Sequence, residues 1–214
     1  MLEAEAFSPH DTLAAALIAH AAEGDDGSHD LAHILRVFRN AMRIHAGEGG
    51  DGRVLAAAVL LHDCVAVEKN SPLRSKASAL AAEKASVILG ELSWSEADIE
   101  AAAHAITAHS FSAGVPPQTL EAKILQDADR LDAIGMVGVA RCFYIGGRMG
   151  SELYDPFDPA ATNRALDDKR YAIDHFQMKL FKLADGFQTE TGRRIAAARD
   201  RSLRDFLAAF MDEI

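Results

Sequence analysis

Apolar residues along this chain recur at helical spacing. Leu31, Ile34, Leu35, Phe38 and Met42 follow at three- and four-residue steps, which lays an apolar face along one helix, and Gly47, Gly49 and Gly50 end the pattern. Before it, the alanine-rich residues 11–23 lie between Pro9 and Gly24 and predict a first helix, stopped by the turn cluster GDDGSHD. After it, Val54 to Leu61 is an unbroken apolar run, so the third predicted helix, 54–63, belongs to the core. That run ends in His62 and Asp63, a polar pair delivered to the edge of a dry interior, where such groups need partners. A metal ion is one such partner.

The helical reading continues through the chain. Ser71 followed by Pro72 is a helix start, and the fourth helix is expected to run to about Leu92. Ser95 to Asp98 resembles a capping box with Asp in place of Glu and opens a helix through about His109, while Gly114, Pro116 and Pro117 mark the next loop. Helices follow over 120–134 and 137–143, separated or merely interrupted by Gly135. Gly146, Gly147 and the DPFDP segment at 155–159 form the longest irregular connection. From about Asn163 the chain reads as helical to its end, with a break near Gly186 or Gly192. No stretch of strict polar and apolar alternation competes, and no internal repeat is seen. The predicted class is all-α, a single-domain helical bundle over 1–214.

Composition fits that picture and narrows the partners. With 214 residues, 49% hydrophobic and 25% charged, the chain has enough material for one domain with a real core. Its 22 Lys and Arg against 32 Asp and Glu leave a net charge of -10 with no block of like charge, which argues against a nucleic-acid polymer or an anionic membrane as partner. A local basic pocket can still hold a small phosphorylated ligand. Cys64 and Cys142 are too few for a disulfide scaffold and read as packed thiols in a reducing compartment. The start, MLEAEAFSPH, is acidic and lacks an apolar signal core, and no stretch approaches the roughly 20 residues of a membrane span. A cytoplasmic protein is expected.

The candidate chemistry lies in a few polar residues outside the helical patterning. His33 shares a stripe of its helix with Asp30 and Arg36. Two readings of Asp30 stay open: an acceptor that orients a ligating imidazole, or a helix cap below a buried, hydrogen-bonded one. His62 and Asp63, adjacent in sequence, point about 100° apart on a helix and meet at one ion only near its end or at a crossing. In QDADRLDAIG, Asp129 and Asp132 share a face, whereas Asp127 is about 200° from Asp129 and can pair with Lys123. His104 and His109 lie about 140° apart on a regular helix, so both do not easily face one metal.

A His, then an adjacent His and Asp, then a distant Asp in an ADR context together resemble the HD superfamily of metal-dependent phosphohydrolases. The stretches GSHDLAHILRV, LLHDCVAVEKNSPLRSKAS, AHSFSAG, QDADRLDAIG, HFQMKLFKL and TETGRRIAAARDRSLRDFLAAF resemble a bacterial branch that includes nucleoside triphosphate pyrophosphatases. The resemblance implies an HD core at about 27–135, with C-terminal helices at about 160–214 packing on it. It implies His33, His62, Asp63 and Asp129 as metal ligands, and Mn²⁺ as the first expected ion. Mixed nitrogen and oxygen donors also suit Ni²⁺, Co²⁺, Fe²⁺, Zn²⁺ or Mg²⁺.

The implied reaction is hydrolysis of a ribo- or deoxyribonucleoside triphosphate to monophosphate and pyrophosphate by a metal-activated water. Lys69, Arg74 and Ser78, near a helix start whose amides can also meet an anion, are the expected phosphate cradle, with Lys76 a more ordinary basic turn. Arg36 and a second group, His175, Lys179 and Lys182, are further candidates for substrate contact. His109 could bind phosphate or give a proton to the leaving group, and Asp132 is the candidate base or orienting carboxylate. Some HD hydrolases carry a carboxylate three residues beyond the HD pair, but Ala66 stands there, and Glu68 is the nearest acid downstream. A phosphomonoesterase, a phosphodiesterase and a non-catalytic nucleotide sensor are the alternatives, with a diiron oxygenase more distant. A homodimer is a further expectation.

Overall fold

In the computed structural model, which describes residues 2–21, 30–67, 74–110 and 113–214, the chain forms helices where the apolar periodicity lies, and no strand occurs among the described residues. The expected all-α class is observed. The chain divides into two compact units, 1–129 and 130–214.

The first unit contains α1 (Leu2–Glu5), α2 (Asp11–Leu17), α3 (Leu31–Glu48), α4 (Gly52–Leu61), α5 (Ala77–Glu91), α6 (Glu96–His109) and most of α7 (Leu120–Asp132). Helix α4 is its axis. Every residue from Val54 to Leu61 is buried, and α2, α3, α5 and α6 all contact this helix. Asp51 caps α4 by accepting from the amides of Arg53 and Val54 at 2.9 and 3.0 Å, and its own amide donates to Glu121 on α7 at 2.8 Å. Ser95 caps α6 through Asp98 N–H, as its sequence suggested. The first predicted helix is shorter than expected: α2 stops at Leu17 and continues as a 3₁₀ turn, Ile18–His20. The short α1 was not foreseen, and the proposed start at Ser71 lies outside the described residues.

The second unit contains α8 (Gly135–Met149), α9 (Phe181–Leu183) and α10 (Glu190–Met211), with α8 against α10. Val139, Phe176, Leu180 and Leu203 form its core, lined by Phe143, Phe181, Phe206 and Leu207. Two expectations fail here. Helix α8 passes through Gly146 and Gly147 instead of ending before them, and a Cβ on Gly146 would lie 3.3 Å from Ala172, so this glycine allows a close approach. Residues 163–173 are not helical. They form a knot in which Arg164 donates twice to buried Asp174, at 2.5 and 2.9 Å, and Asp158 accepts from the amides of Thr162 and Asn163 at 2.8 and 2.7 Å. Side-chain oxygens there take the amides that a helix would have used. Helix resumes at 174–175, passes into a π turn at 176–180, and returns in α10, whose start is capped by Thr189 through Gly192 N–H. Both cysteines are free thiols, and no described helix is long and apolar enough to cross a membrane.

Candidate metal centre

Three helices of the first unit bring four side chains to one point. His33 lies on the first turn of α3, His62 and Asp63 leave the end of α4, and Asp129 projects from α7. His33 Nε2 is 3.3 Å from His62 Nε2, 3.5 Å from Asp63 Oδ2 and 3.6 Å from Asp129 Oδ1, and His62 Nε2 is 3.4 Å from Asp63 Oδ2. Around a six-coordinate ion with bonds of about 2.1 Å, neighbouring donors sit about 3 Å apart, so these separations are close to those of a loaded site. The two imidazoles are each 1% exposed, whereas the side chains of Asp63 and Asp129 are 26% and 31% exposed, so the cluster is held from below and reachable from above.

Hydrogen bonding argues for a cation at this point. His62 follows the last turn of α4, where carbonyls lack helical partners, and its Nδ1–H donates to Val59 O at 2.7 Å. A carbonyl only accepts, so Nδ1 carries a proton and the bond turns Nε2 towards the cluster. His62 Nε2 and two carboxylate oxygens surround His33 Nε2, a set of nitrogen and oxygen donors that suits a divalent ion. Asp30 resolves to the capping role, accepting from His33 N–H at 2.9 Å, and so fixes where α3 begins.

The supporting residues include some that sequence reasoning missed. Asn40, buried on α3, donates to Ala128 O at 3.1 Å and ties α3 to α7 one residue before Asp129. Gln126 donates to Ala108 O at 2.7 Å and ties α7 to the end of α6. Lys84 donates to Cys64 O at 2.9 Å, and the Cys64 thiol donates to Ala81 O, which fastens the turn after Asp63 onto α5. Their only signal in the sequence was a polar residue at a position that helical spacing assigns to the core.

His109 is the last residue of α6 and is also buried, its ring edge-on to His62 with centroids 5.0 Å apart. Its Nδ1–H donates to Ile106 O at 2.6 Å, and Nε2 lies 4.0 Å from Asp63 Oδ1. Burial first, and then the neighbouring His62, push its pKa below the ordinary histidine value, with the Asp129 and Asp63 carboxylates opposing that shift. His104, by contrast, accepts the Gln118 amide at 3.0 Å, a structural contact.

The remaining candidates are distributed between the two units. Arg36 is half-buried on α3, one turn past His33. Ser78, on the first turn of α5, is buried, and its Oγ meets no hydrogen-bond partner among the described residues. Helix α5 continues directly from a 3₁₀ turn at Arg74–Lys76, and among the described residues no side chain caps its start. Glu68 and Lys69 lie outside the described residues, as does the side chain of Arg74. Asp132, in the second unit, is buried and ion-paired with Arg141. His175 is paired with Asp168 at 2.8 Å, and Lys179 and Lys182 are exposed.

Comparison with known proteins gives the family. Residues 30–134 match the HD domain family model, a span that contains all four clustered side chains. The chain is 30% identical to Bacillus subtilis YpgQ over 194 residues, covering 89% of this chain and 86% of that protein. The crystal structure of YpgQ in complex with ADP superposes with a TM-score of 0.74 at 29% identity, over 100% of this chain and 97% of the other. An HD-superfamily hydrolase from Bacillus thuringiensis gives a TM-score of 0.70 at 31% identity, over 99% and 97% of the two chains. With its His, His-Asp and Asp side chains gathered at one point and these relatives along nearly its whole length, the chain belongs to the HD superfamily.

Proposed function

We propose that this protein is a metal-dependent phosphohydrolase that cleaves a nucleoside triphosphate to the monophosphate and pyrophosphate, working as a single cytoplasmic domain. The convergence of His33, His62, Asp63 and Asp129 carries the reading, and the ADP complex of YpgQ supports a nucleotide as the ligand. A divalent ion held by these four side chains supplies Lewis acidity, lowering the pKa of water and offsetting charge on phosphorus. Mn²⁺ is the ion we favour.

The chain's own residues supply the rest. Buried His33 and His62 fix the ion's position, and half-exposed Asp63 and Asp129 leave one side open to the nucleotide. The buried Ser78 hydroxyl, which meets no partner among the described residues, supports a phosphate position there, with Lys69 and Arg74 as its cations and Arg36 a further contact. Water adds to the α-phosphorus as the bond to the bridging oxygen breaks, and pyrophosphate leaves. Asp132, held by Arg141, suits an orienting role better than proton transfer, and Glu68 remains the candidate acid downstream of the HD pair. His175, Lys179 and Lys182, on a helix late in the chain, are further candidates for substrate contact.

The test is product analysis. Metal-stripped protein refilled with Mn²⁺ is incubated with ribo- and deoxyribonucleoside triphosphates, with His62→Ala alongside. Monophosphate plus pyrophosphate, lost in the variant, is the expected result. Release of inorganic phosphate would assign a phosphomonoesterase instead, and tight nucleotide binding without turnover a sensor.

A further inference from the structure

We propose that a cleft in the first unit, separate from the metal centre, binds a small aromatic carboxylate. The cleft has a volume of about 380 Å³, within the range of small-molecule sites. Leu13 and Ala16 on α2, with Leu92 and Trp94 in the turn between α5 and α6, supply its apolar walls, and His10 and Arg53 complete the lining. Arg53 sits in the first turn of α4, whose other end leads to His62 and Asp63, roughly 13 Å further along the helix at 1.5 Å per residue. The inference is therefore independent of the metal reading.

Two donors in this cleft are held in place without hydrogen-bond partners. The Arg53 guanidinium lies over the Trp94 ring, 3.7 Å from its centroid, a contact that fixes a long side chain while leaving it 56% exposed. Asp98 Oδ2 is 3.8 Å away, too far for a hydrogen bond, and the guanidinium makes none among the described residues. Trp94 is 8% exposed, and its indole N–H also has no hydrogen-bond partner among the described residues, although a ring so buried usually finds one. Both groups only donate, and a guanidinium matches a carboxylate with two parallel bonds. A ligand that joins a carboxylate to a ring satisfies the donors and covers the apolar walls together.

Charge narrows the class further. Arg53 is the only Lys or Arg among the lining residues. Burial first, and then His45, push the His10 pKa below the ordinary histidine value against Asp51 and Asp11, so at pH about 8 this imidazole adds no charge. One cation with Asp98 already beside it matches one negative charge and not a polyphosphate. The wall is also set in advance: His10 stands edge-on to Phe38 with centroids 6.3 Å apart, and Gly52 lacks the Cβ that would lie 3.4 Å from His10 Nε2.

Trp94 is the chain's only tryptophan, so the cleft carries its own reporter. Full-length protein labelled with nitrogen-15, at pH about 8 and with no metal added, is titrated with 3-phenylpropionate while the single indole N–H resonance is followed by NMR. The parallel titration uses 3-phenylpropionamide, which keeps the ring and loses the charge. The expected result is a saturable shift with a Kd of about 1 mM or below for the acid, and binding at least about tenfold weaker both for the amide and for the acid with Arg53→Gln. The comparison of acid with amide uses the parent alone and does not depend on how the variant folds. Absence of a saturable indole shift, or equal affinity for acid and amide, would overturn the assignment, as would undiminished affinity for the acid in Arg53→Gln.

Discussion

At the scale of single residues, the site depends on polar side chains that the core holds in fixed tautomers and orientations. Asn40 is the one whose role is most easily isolated, since its amide donates to Ala128 O, one residue before Asp129. Asn40→Ala leaves a buried carbonyl without that donor and is expected to cost about 1–3 kcal/mol in stability. It should also weaken Mn²⁺ binding by releasing the helix that carries Asp129. Urea unfolding together with metal titration checks both, and unchanged metal affinity in a destabilised variant would confine Asn40 to a structural role. A second prediction concerns pH. Amides of Asn163 and Thr162 hold the Asp158 carboxyl below the usual carboxylate range, and the amide of Phe157 and the hydroxyl of Tyr171 do the same for Asp155. A depressed folded-state pKa contributes stability above the unfolded value of about 4, and that stability is lost as pH falls through the folded values. The segment around 155–174 is therefore expected to loosen in acid below pH about 4. Amide exchange at Thr162 and Asn163, followed by NMR, should rise there, and Asp158→Asn should flatten the dependence; a pH-independent rate of amide opening would contradict this.

At the scale of elements, the helices were legible wherever apolar spacing was regular. Residues α3 and α4 contribute to the core were marked by their periodicity, and the His-Asp pair by its place at the end of an apolar run. Two regions were misread for local reasons. Residues 163–173 contain helix-forming Ala, Leu and Lys, but Asp158, Asp167 and Asp174 capture backbone amides and Arg164 closes the knot, a pairing invisible until the chain is folded. The Gly-Gly pair in α8 looked like a break, yet one of its members is there for close contact with Ala172. Glycines therefore offer a test with two signs. A Cβ at Gly138 in α8 would run into the Ala133 carbonyl, so Gly138→Ala is expected to destabilise by about 1–3 kcal/mol. Gly90, in the last turn of α5 with open space around its Cβ position, should instead gain about 0.5–1 kcal/mol as Ala. Chemical denaturation of the two variants decides it, and a shift in the same direction for both would contradict the packing described.

At the scale of the whole molecule, a chain of net charge -10 is proposed to bind a polyanionic small molecule, and the centre shows how that is consistent. In that proposal the ion, not the protein's net charge, would supply the local positive field. Much of the site was legible in the sequence: the four proposed ligands were identifiable as a pattern, and the structure brings them together. What the sequence did not disclose was three-dimensional: that Asp30 caps a backbone, that Asn40 and Gln126 tie the helices together, and that Asp132 is already committed to Arg141. The most direct test of the central claim is Mn²⁺ binding by equilibrium dialysis, with thermal unfolding measured in parallel, for the parent and for His62→Ala. The account expects one ion per parent chain, a rise in Tm on loading that corresponds to about 2.7 kcal/mol at a hundredfold excess over Kd, and loss of both in the variant. Equal binding and an equal rise in Tm in His62→Ala would show that the cluster is not the metal centre.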